Sequence, residues 1–326
     1  MKVAIRADGG HELGYGHLVR TSVLAGELEK NYHEVIYLTK TPESLEDITD
    51  ENFRSEHIES EEEFLGFLEE KEIGCVITDH YEVGTDLQER IRDRCEKYLA
   101  ISDDTRFRFS CDILVNNNIY AENLEYDFKG EEPEKLLGTD YILLREEFQK
   151  AASENRELKE KIDSALIMMG GGDPKGFTPE VMEILSEYCF RKTVIIGPGF
   201  DNKEEIRKIA SESRGFELEE NPNNIADIMA ESDIAVSATG TSVYELIATE
   251  TPFIGIPQTA NQGPVAESIS QESLGIIAES DELEEKILKL VSDNELRKNI
   301  RENQRNRVDG NGAKRIREIM ENMLMG

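Results

Sequence analysis

The sequence predicts an α/β protein made of two doubly wound domains. Short apolar runs alternate with amphipathic stretches in both halves of the 326-residue chain, and one charged segment, Glu146–Lys161, interrupts the alternation. Each half also carries a glycine-rich turn after its first apolar run. Continuous apolar runs of strand length are typical of parallel strands that are buried on both faces. We therefore predict an N-terminal domain over residues 1–150 and a C-terminal domain over residues 151–326.

The first half contains apolar runs that we interpret as buried parallel strands. In chain order they are KVAIRA, EVIYLT, CVITDH and KYLAIS, followed by CDILVNNN, a strand-like run that ends in asparagines. Between them, Leu18–Leu28 has apolar residues at helical spacing, and Phe64, Phe67 and Leu68 mark a second helix. In such a doubly wound pattern, ligands bind beyond the carboxyl ends of the strands.

The second half repeats this organisation. The predicted strands are SALIMM, KTVIIG, GFELEE, DIAVSA and PFIGIP. Three closing helices are predicted over Glu282–Val291, Glu295–Gln304 and Ala313–Leu324, and we expect the last one to pack back on the N-terminal domain. The charged segment Glu146–Lys161 is predicted to be an exposed helix or linker. Two domains with such a joint predict a cleft between them, which is a common place for a substrate.

The composition is strongly acidic. The chain has 37 basic and 69 acidic side chains, for a formal net charge of −32, which argues against binding nucleic acid or anionic membranes through a basic surface. No apolar run is long enough to span a bilayer, and the chain begins with a strand rather than a signal peptide, so we expect a soluble cytoplasmic protein. The four cysteines form no CxxC pair, which argues against a zinc knuckle or a redox pair.

The stretch ELGYGHLVR, from Glu12 to Arg20, is the first candidate for chemistry. Gly14 and Gly16 allow backbone angles that other residues avoid, although their spacing is not that of a GxGxxG loop. An imidazole such as that of His17 can transfer protons near neutral pH. It can equally be a packing residue at a helix start, and this motif alone leaves both interpretations open. Three charged residues close in sequence are expected to line the opening of the same ligand site: Arg6, Asp8 and Arg20.

Polar residues also follow two other predicted strands. Asp79, His80 and Tyr81 come directly after CVIT, and Asp103–Asp104 follow LAIS. Carboxyl ends of parallel strands face the ligand crevice, but aspartate is also common in ordinary turns after strands. A metal site is not favoured, because no three ligands with metal spacing occur.

The glycine run Gly170–Gly172 follows the first strand of the second half. It can cradle a diphosphate or simply form a flexible turn, and the sequence leaves both open.

The segment Asp233–Pro257 offers a second anion site. Gly240, Thr241 and Ser242 open a helix and present N–H groups and hydroxyls. Glu245 lies one turn into that helix, where it could accept both hydroxyls of a ribose. It could also complete a capping box with Thr241 or Ser242, and the two roles are compatible. Asn261 and Gln262 follow the next strand and are expected at the same crevice.

Taken together, these motifs resemble known families. GGGD, SATGTSVYEL and PQTANQ resemble the nucleotide-sugar-binding half of GT-B proteins, including the peptidoglycan N-acetylglucosaminyltransferase. IRADGGHELGYGHLVR, ITDHY, ISDD, CDILVNNNIYA and LLREEF resemble the UDP-sugar hydrolases of pseudaminic acid biosynthesis (the PseG family) in order and spacing. Those enzymes remove UDP from UDP-2,4-diacetamido-2,4,6-trideoxy-β-L-altropyranose. One departure is ATGTSVYE, which has a Gly–Thr pair where a serine pair is expected.

The resemblance implies a GT-B fold with a central cleft, no metal and no cofactor. It implies roles for His17 as catalytic acid/base, Tyr81 as a contact in the catalytic cleft and Asn261 as a contact to sugar or phosphate. Gly14 and Gly16 would form the loop that approaches the phosphates, Gly171 and Gly172 would lie near the diphosphate, and Glu245 would hold the ribose. Three neighbouring residues are also expected to bind the substrate, namely Gly240, Thr241 and Ser242, with Gln262 from the next loop.

The implied activity is hydrolysis of a UDP-activated deoxyamino sugar. A glycosyltransferase on the same scaffold, with an acceptor hydroxyl in place of water, and a nucleotide-sugar sensor without turnover are the alternatives. The chain shows no exposed aromatic or basic amphipathic stretch for docking on a membrane-bound acceptor, which favours the hydrolase. The expected partner is a UDP-sugar, with no nucleic acid and no membrane, and the sequence makes no prediction of oligomeric state.

Overall fold

The computed structural model describes residues 1–10, 13–48, 52–153 and 159–325. The chain divides into two compact units. Unit 1 comprises Met1–Arg145 and Asn311–Gly326, and unit 2 comprises Glu146–Gly310. Each unit contains a parallel β-sheet with helices, so the predicted α/β class with two Rossmann-like domains is confirmed.

Unit 1 is built on a parallel sheet. Its strands are β1 (Lys2–Ala7), β2 (Glu34–Thr39), β3 (Arg54–His57), β4 (Cys75–Asp79), β5 (Lys97–Ile101), β6 (Ile113–Asn116) and β7 (Glu134–Leu137). The helices up to Arg145 are α1 (Gly16–Lys30), α2 (Pro42–Glu46), α3 (Glu61–Glu70) and α4 (Thr85–Arg92), with 3₁₀ turns at Ala121–Asn123 and Thr139–Tyr141. The strand order is β3-β2-β1-β4-β5-β6-β7. Successive strands are therefore added on one side of β1 up to β3, and on its other side from β4 onward.

Both faces of this sheet are covered by helices. Since successive side chains of a strand point to opposite faces, the residues of β1 enter two different core clusters. Val3 and Ile5 belong to one core cluster with Leu18 and Leu24 of α1. Ala4 belongs to a second cluster that includes Phe64 of α3. This two-sided burial explains why β1 is an almost continuous apolar run rather than an alternating one.

Unit 2 has the same architecture. Its strands are β8 (Ser164–Met168), β9 (Arg191–Ile196), β10 (Phe216–Glu220), β11 (Ile234–Ala238), β12 (Phe253–Ile256) and β13 (Ile276–Ile277). Its helices are α5 (Glu146–Ser153), α6 (Phe177–Ser186), α7 (Lys203–Glu212), α8 (Ile225–Glu231), α9 (Ser242–Ala248), α10 (Gly263–Gln271), α11 (Leu283–Ser292) and α12 (Asn294–Gln304), with 3₁₀ turns at Ala260–Gln262 and Ser280–Glu282. The order β10-β9-β8-β11-β12-β13 reverses between β8 and β11.

The last helix, α13 (Gly312–Met325), packs in unit 1 against α1. Ile316 and Met320 are fully buried in the cluster that contains Leu18. Gly312 begins the helix where a Cβ atom would lie 2.2 Å from the carbonyl oxygen of Ile142, so this close approach requires glycine.

The structure differs from the sequence prediction at the sheet edges and at the charged segment. The sequence does not predict strands β3, β7 and β13, because they are short, β3 has no apolar residue and β7 has only two. Such features are common on edge strands. The segment predicted to be an exposed helix or linker begins with α5, whose Phe148 is fully buried, so the prediction of exposure is wrong there. Residues 154–158 of that segment lie outside the described residues.

No helix within the described ranges is long and apolar enough to cross a membrane.

Candidate functional site

The candidate site of unit 1 lies at the point where the strand order reverses. Strands β1 and β4 are neighbours there, and Ala7 at the end of β1 pairs with Asp79 at the end of β4. Helix α1 follows β1 and carries His17 and Arg20 in its first turns. Ligands of open α/β sheets bind at such switch points, beyond the carboxyl ends of the strands.

His17, Arg20 and Asp79 form a buried charged cluster. Nδ1 of His17 lies 2.7 Å from Oδ1 of Asp79. Arg20 donates to the same carboxylate twice, from Nη2 to Oδ1 at 2.5 Å and from Nε to Oδ2. The exposed fractions are 7% for His17, 7% for Arg20 and 1% for Asp79, so these bonds are largely shielded from solvent.

Asp103 extends the cluster after β5. Arg20 Nη1 donates to Oδ1 of Asp103 at 2.5 Å, and the side-chain amide of Asn118 donates to the same oxygen at 2.8 Å. Burial alone would raise the pKa of Asp79, but the charge of Arg20 and the hydrogen bonds from Arg20 and His17 lower it well below its ordinary value. Burial likewise opposes the charge of Asp103, and Arg20 outweighs it and lowers that pKa. Both aspartates are therefore carboxylates at neutral pH.

Tyr81 brings an aromatic ring to His17. The two rings meet edge to face, with centroids 4.7 Å apart and planes at 84°. The hydroxyl of Tyr81 donates to Oδ2 of Asp103 at 3.4 Å, and the guanidinium of Arg106 lies 5.1 Å from the centre of the Tyr81 ring. These residues line a pocket that opens to solvent, together with Phe107 and other residues of the loop after β5.

Arg6 and Asp8 are not among the residues that line this pocket. Arg6 is fully buried and donates to Glu61 at 2.8 and 3.2 Å, and its Nη2 also lies 2.8 Å from Asp8. Asp8 accepts from the hydroxyl of Thr39 at 2.9 Å and from the backbone N–H of Lys40 at 2.7 Å. The two residues therefore pair with each other and with the segments beside the end of β1, and their contact with a substrate stays a prediction.

Arg20 does lie among the residues that line this pocket, and its contact with a substrate stays a prediction. Each of its guanidinium nitrogens faces a carboxylate of Asp79 or Asp103. Two buried carboxylates need a cation, and Arg20 supplies it. Its role in the structure is to hold the acidic residues beside His17.

Gly10 and Gly14 pair with each other ahead of α1. Gly10 and Gly14 exchange backbone hydrogen bonds of 3.1 and 2.7 Å, so the N–H of Gly14 donates within the loop and is not available to a phosphate. Gly16 is exposed and is the first residue of α1, where N–H groups have no partner inside the helix. Glu12, the first residue of the ELGYGHLVR stretch, lies outside the described residues.

The glycine run of unit 2 lies at the corresponding switch point, after β8. The carbonyl oxygen of Gly171 accepts from the N–H of Gly199 at 2.8 Å. A Cβ atom on Gly197 would lie 2.6 Å from the carbonyl oxygens of Gly170 and Gly171, so two backbone segments touch directly. Gly171 remains exposed and Gly172 is half-buried. Gly197 was not singled out from the sequence, although its Gly–Pro–Gly context after a strand is a turn signal.

Gly240 and Gln262 come together at the end of β11, on the other side of the same switch point. The side-chain oxygen of Gln262 accepts from the Thr239 hydroxyl at 3.2 Å and from the backbone N–H of Gln258 at 2.9 Å. Its Nε2 lies 3.7 Å from where a Cβ of Gly240 would be. Thus one side chain bridges the loops that follow β11 and β12.

The neighbouring predicted residues are distributed over the same two loops. Glu245 is half-buried in the first turn of α9, and Thr241 is exposed without a side-chain capping bond, so the capping box is not formed from Thr241. Ser242 is the first residue of α9. Asn261 is exposed, and its side-chain oxygen accepts from the Thr259 hydroxyl at 2.5 Å.

Sequence reasoning noted Asp79 and Asp103 only as residues after strands. Nothing in the local pattern shows that both bind Arg20, because Asp79 is 59 residues and Asp103 is 83 residues from it. Across the part of the chain that the structure describes, no group of three histidine, cysteine, aspartate or glutamate side chains could hold a metal ion.

Comparisons with known proteins agree with this architecture. Residues 149–323 match the model of the glycosyltransferase family 28 C-terminal domain. The chain is 31% identical over 272 residues to the UDP-2,4-diacetamido-2,4,6-trideoxy-β-L-altropyranose hydrolase of Campylobacter jejuni, covering 82% of this chain and 95% of that enzyme. It is 30% identical over 269 residues to an uncharacterized protein of Methanocaldococcus jannaschii, covering 79% of this chain but only 54% of that protein, so it spans about half of its length.

Among solved structures, MurG of Acinetobacter baumannii superimposes with a TM-score of 0.71 at 13% identity and covers 99% of both chains. At this identity the likeness concerns the fold. The family model covers more than half of the chain. The two Rossmann-like units correspond to the fold of MurG. The chain therefore belongs to the glycosyltransferase family 28 C-terminal domain family, within the GT-B superfamily.

Proposed function

We propose that this protein is a hydrolase that releases UDP from a UDP-activated 2,4-diacetamido-2,4,6-trideoxy sugar, in the biosynthesis of a pseudaminic-type acid. The observation that carries the proposal is His17, which is held by Asp79 at 2.7 Å beside an open pocket. The identity of 31% to the Campylobacter jejuni hydrolase, over nearly all of that enzyme, supports the substrate class.

In the proposed reaction, a water oxygen forms a bond to the anomeric carbon of the sugar. The bond from that carbon to the diphosphate oxygen breaks, and its electron pair leaves with UDP. His17 accepts the proton of the attacking water, a general-base contribution that is typically worth about 10²–10⁴-fold in rate. Tyr81, in edge-to-face contact with His17, is the aromatic side chain that we propose to touch the sugar.

Unit 2 is proposed to bind the nucleotide. The loops after β8 and β11 flank its switch point, and Gly171, Gly172 and Gly240 of these loops would lie against the diphosphate. Glu245 would accept the ribose hydroxyls, and Asn261 would contact the sugar or phosphate.

A glycosyltransferase is the second candidate. The match to the glycosyltransferase family 28 C-terminal domain and the fold shared with MurG favour it. In such a reaction the same His17 would deprotonate an acceptor hydroxyl instead of water.

Incubation with UDP-2,4-diacetamido-2,4,6-trideoxy sugars of different stereochemistry, without any acceptor, separates the candidates. Release of UDP with incorporation of ¹⁸O from labelled water into the sugar supports the hydrolase. Release that requires an added acceptor identifies a transferase. Binding of UDP-sugar without turnover under either condition would identify a sensor and refute both enzymatic candidates.

A further inference from the structure

We propose that Asp79 is a positioning residue for His17: it keeps the proton on Nδ1, so that Nε2 is the ring atom that accepts a proton. The inference rests on the proposed function of His17 for its catalytic consequence. Its structural part stands on the buried contacts of these side chains.

Two distances decide which ring nitrogen carries the proton. Nδ1 of His17 lies 2.7 Å from Oδ1 of Asp79 and 3.2 Å from Nη2 of Arg20. A carboxylate only accepts hydrogen bonds and a guanidinium only donates them. A contact of 2.7 Å between an unprotonated nitrogen and a carboxylate would be repulsive, so the shorter contact assigns the proton to Nδ1. The neutral ring then has its lone pair on Nε2.

Asp79 is itself held in one orientation. Arg20 donates to both of its oxygens, a side-on arrangement that prevents the carboxylate from rotating away from His17. Arg20 is fixed in turn by Asp103 at 2.5 Å, and Asp103 by Asn118 at 2.8 Å. Since Asp79 is 1% exposed, water does not compete for its oxygens.

The charges of the cluster also suit this role. The positive guanidinium of Arg20 lies on the Nδ1 side of the His17 ring and is itself bound by the carboxylates of Asp79 and Asp103. Without Asp79, the contact of 3.2 Å between Nη2 and Nδ1 becomes a hydrogen bond that Arg20 donates, and the proton moves to Nε2. Removing the carboxylate thus inverts the tautomer and leaves Nε2 unable to accept.

The first measurement needs no variant. In protein labelled with ¹⁵N in its five histidines, the His17 signals are identified by their loss in His17→Asn, and the nitrogen shifts show which atom is protonated. The proposal expects a protonated Nδ1 and an unprotonated Nε2 in the neutral ring. The opposite tautomer in the wild-type protein overturns it, even if no Asp79 variant folds.

The second measurement is Asp79→Ala. We expect kcat to fall by roughly 10²–10⁴-fold with KM and UDP affinity changed by less than about threefold, and the His17 tautomer to invert. The matched control is Glu62→Gln, which removes another doubly bonded carboxylate of unit 1, the exposed partner of Arg90, and should leave kcat unchanged. A folded Asp79→Ala protein with normal kcat or an unchanged tautomer overturns the proposal.

The two proposals fail separately. If the wild-type protein turns over no UDP-sugar but its tautomer is as expected and inverts in Asp79→Ala, the positioning role of Asp79 stands and the hydrolase proposal falls. If hydrolysis proceeds normally in Asp79→Ala, the hydrolase stands and the role of Asp79 falls.

Discussion

Replacing His17 by asparagine tests the central role of this site. An asparagine amide nitrogen reaches about the position of the histidine Nδ1, so it can donate to Asp79 Oδ1 in place of the 2.7 Å contact. The substitution removes Nε2 and the edge-to-face contact with Tyr81. It therefore deletes the proton acceptor while the buried carboxylate keeps a donor.

We expect His17→Asn to lower kcat by about 10²–10⁴-fold, which corresponds to roughly 2.7–5.5 kcal/mol of transition-state stabilisation. UDP affinity should hardly change, because unit 2 is proposed to bind the nucleotide. The free energy of unfolding should fall by less than about 1.5 kcal/mol. His17→Ala, which leaves Asp79 with Arg20 alone, should cost more, about 1.5–3 kcal/mol.

The assay measures UDP release, UDP binding by calorimetry and urea unfolding on the same preparation. His33→Asn is the matched control, since His33 also pairs with a carboxylate of unit 1, Glu321 at 2.9 Å. It should keep normal kcat. If His17→Asn is folded, binds UDP and retains near-normal kcat, His17 is a packing residue and the acid–base argument is refuted.

Four further predictions concern the nucleotide, metal, pH and stability. Glu245→Ala should weaken UDP binding by roughly 1–3 kcal/mol, and unchanged affinity in calorimetry would remove Glu245 from the nucleotide site. Turnover should persist in chelator, and activity that chelator abolishes and a divalent ion restores would contradict this. Because the pKa of Asp79 is lowered in the folded protein, its stabilising contribution is present above the unfolded carboxyl pKa of about 3.9 and is lost as pH falls through the folded value. Urea unfolding from pH 6 down to pH 3 should show the beginning of this loss below about pH 4, and a pH dependence that is the same in Asp79→Ala would argue against it. Gly312→Ala should destabilise the protein by roughly 1–3 kcal/mol, since its Cβ would lie 2.2 Å from the Ile142 carbonyl oxygen. Thermal unfolding can check this against a matched control, Gly66→Ala in α3, whose added Cβ would meet nothing within 4 Å and should stabilise the protein by about 0.5–1 kcal/mol.

The central strands and the main helices could be predicted from the sequence because their signals are local. A strand buried on both faces, such as β1, must be apolar over several successive residues. The edge strand β3 has the sequence RSEH and is mostly exposed, so no apolar run identifies it. Residues directly after strands were recognised as candidates because the carboxyl ends of a parallel sheet share one edge.

The sequence by itself determined that His17 begins a helix after the first strand, and that Tyr81 follows a later strand. Only the tertiary structure decided which charges meet there. The parallel pairing of β1 with β4 brings Asp79 to His17 across 62 residues of chain, and that of β4 with β5 brings Asp103 to Arg20. Arg6, Asp8 and Arg20 looked alike in the sequence as charged residues near a glycine loop. Their burial and partners distinguish them, because a buried charge is defined by the opposite charge that packing places beside it.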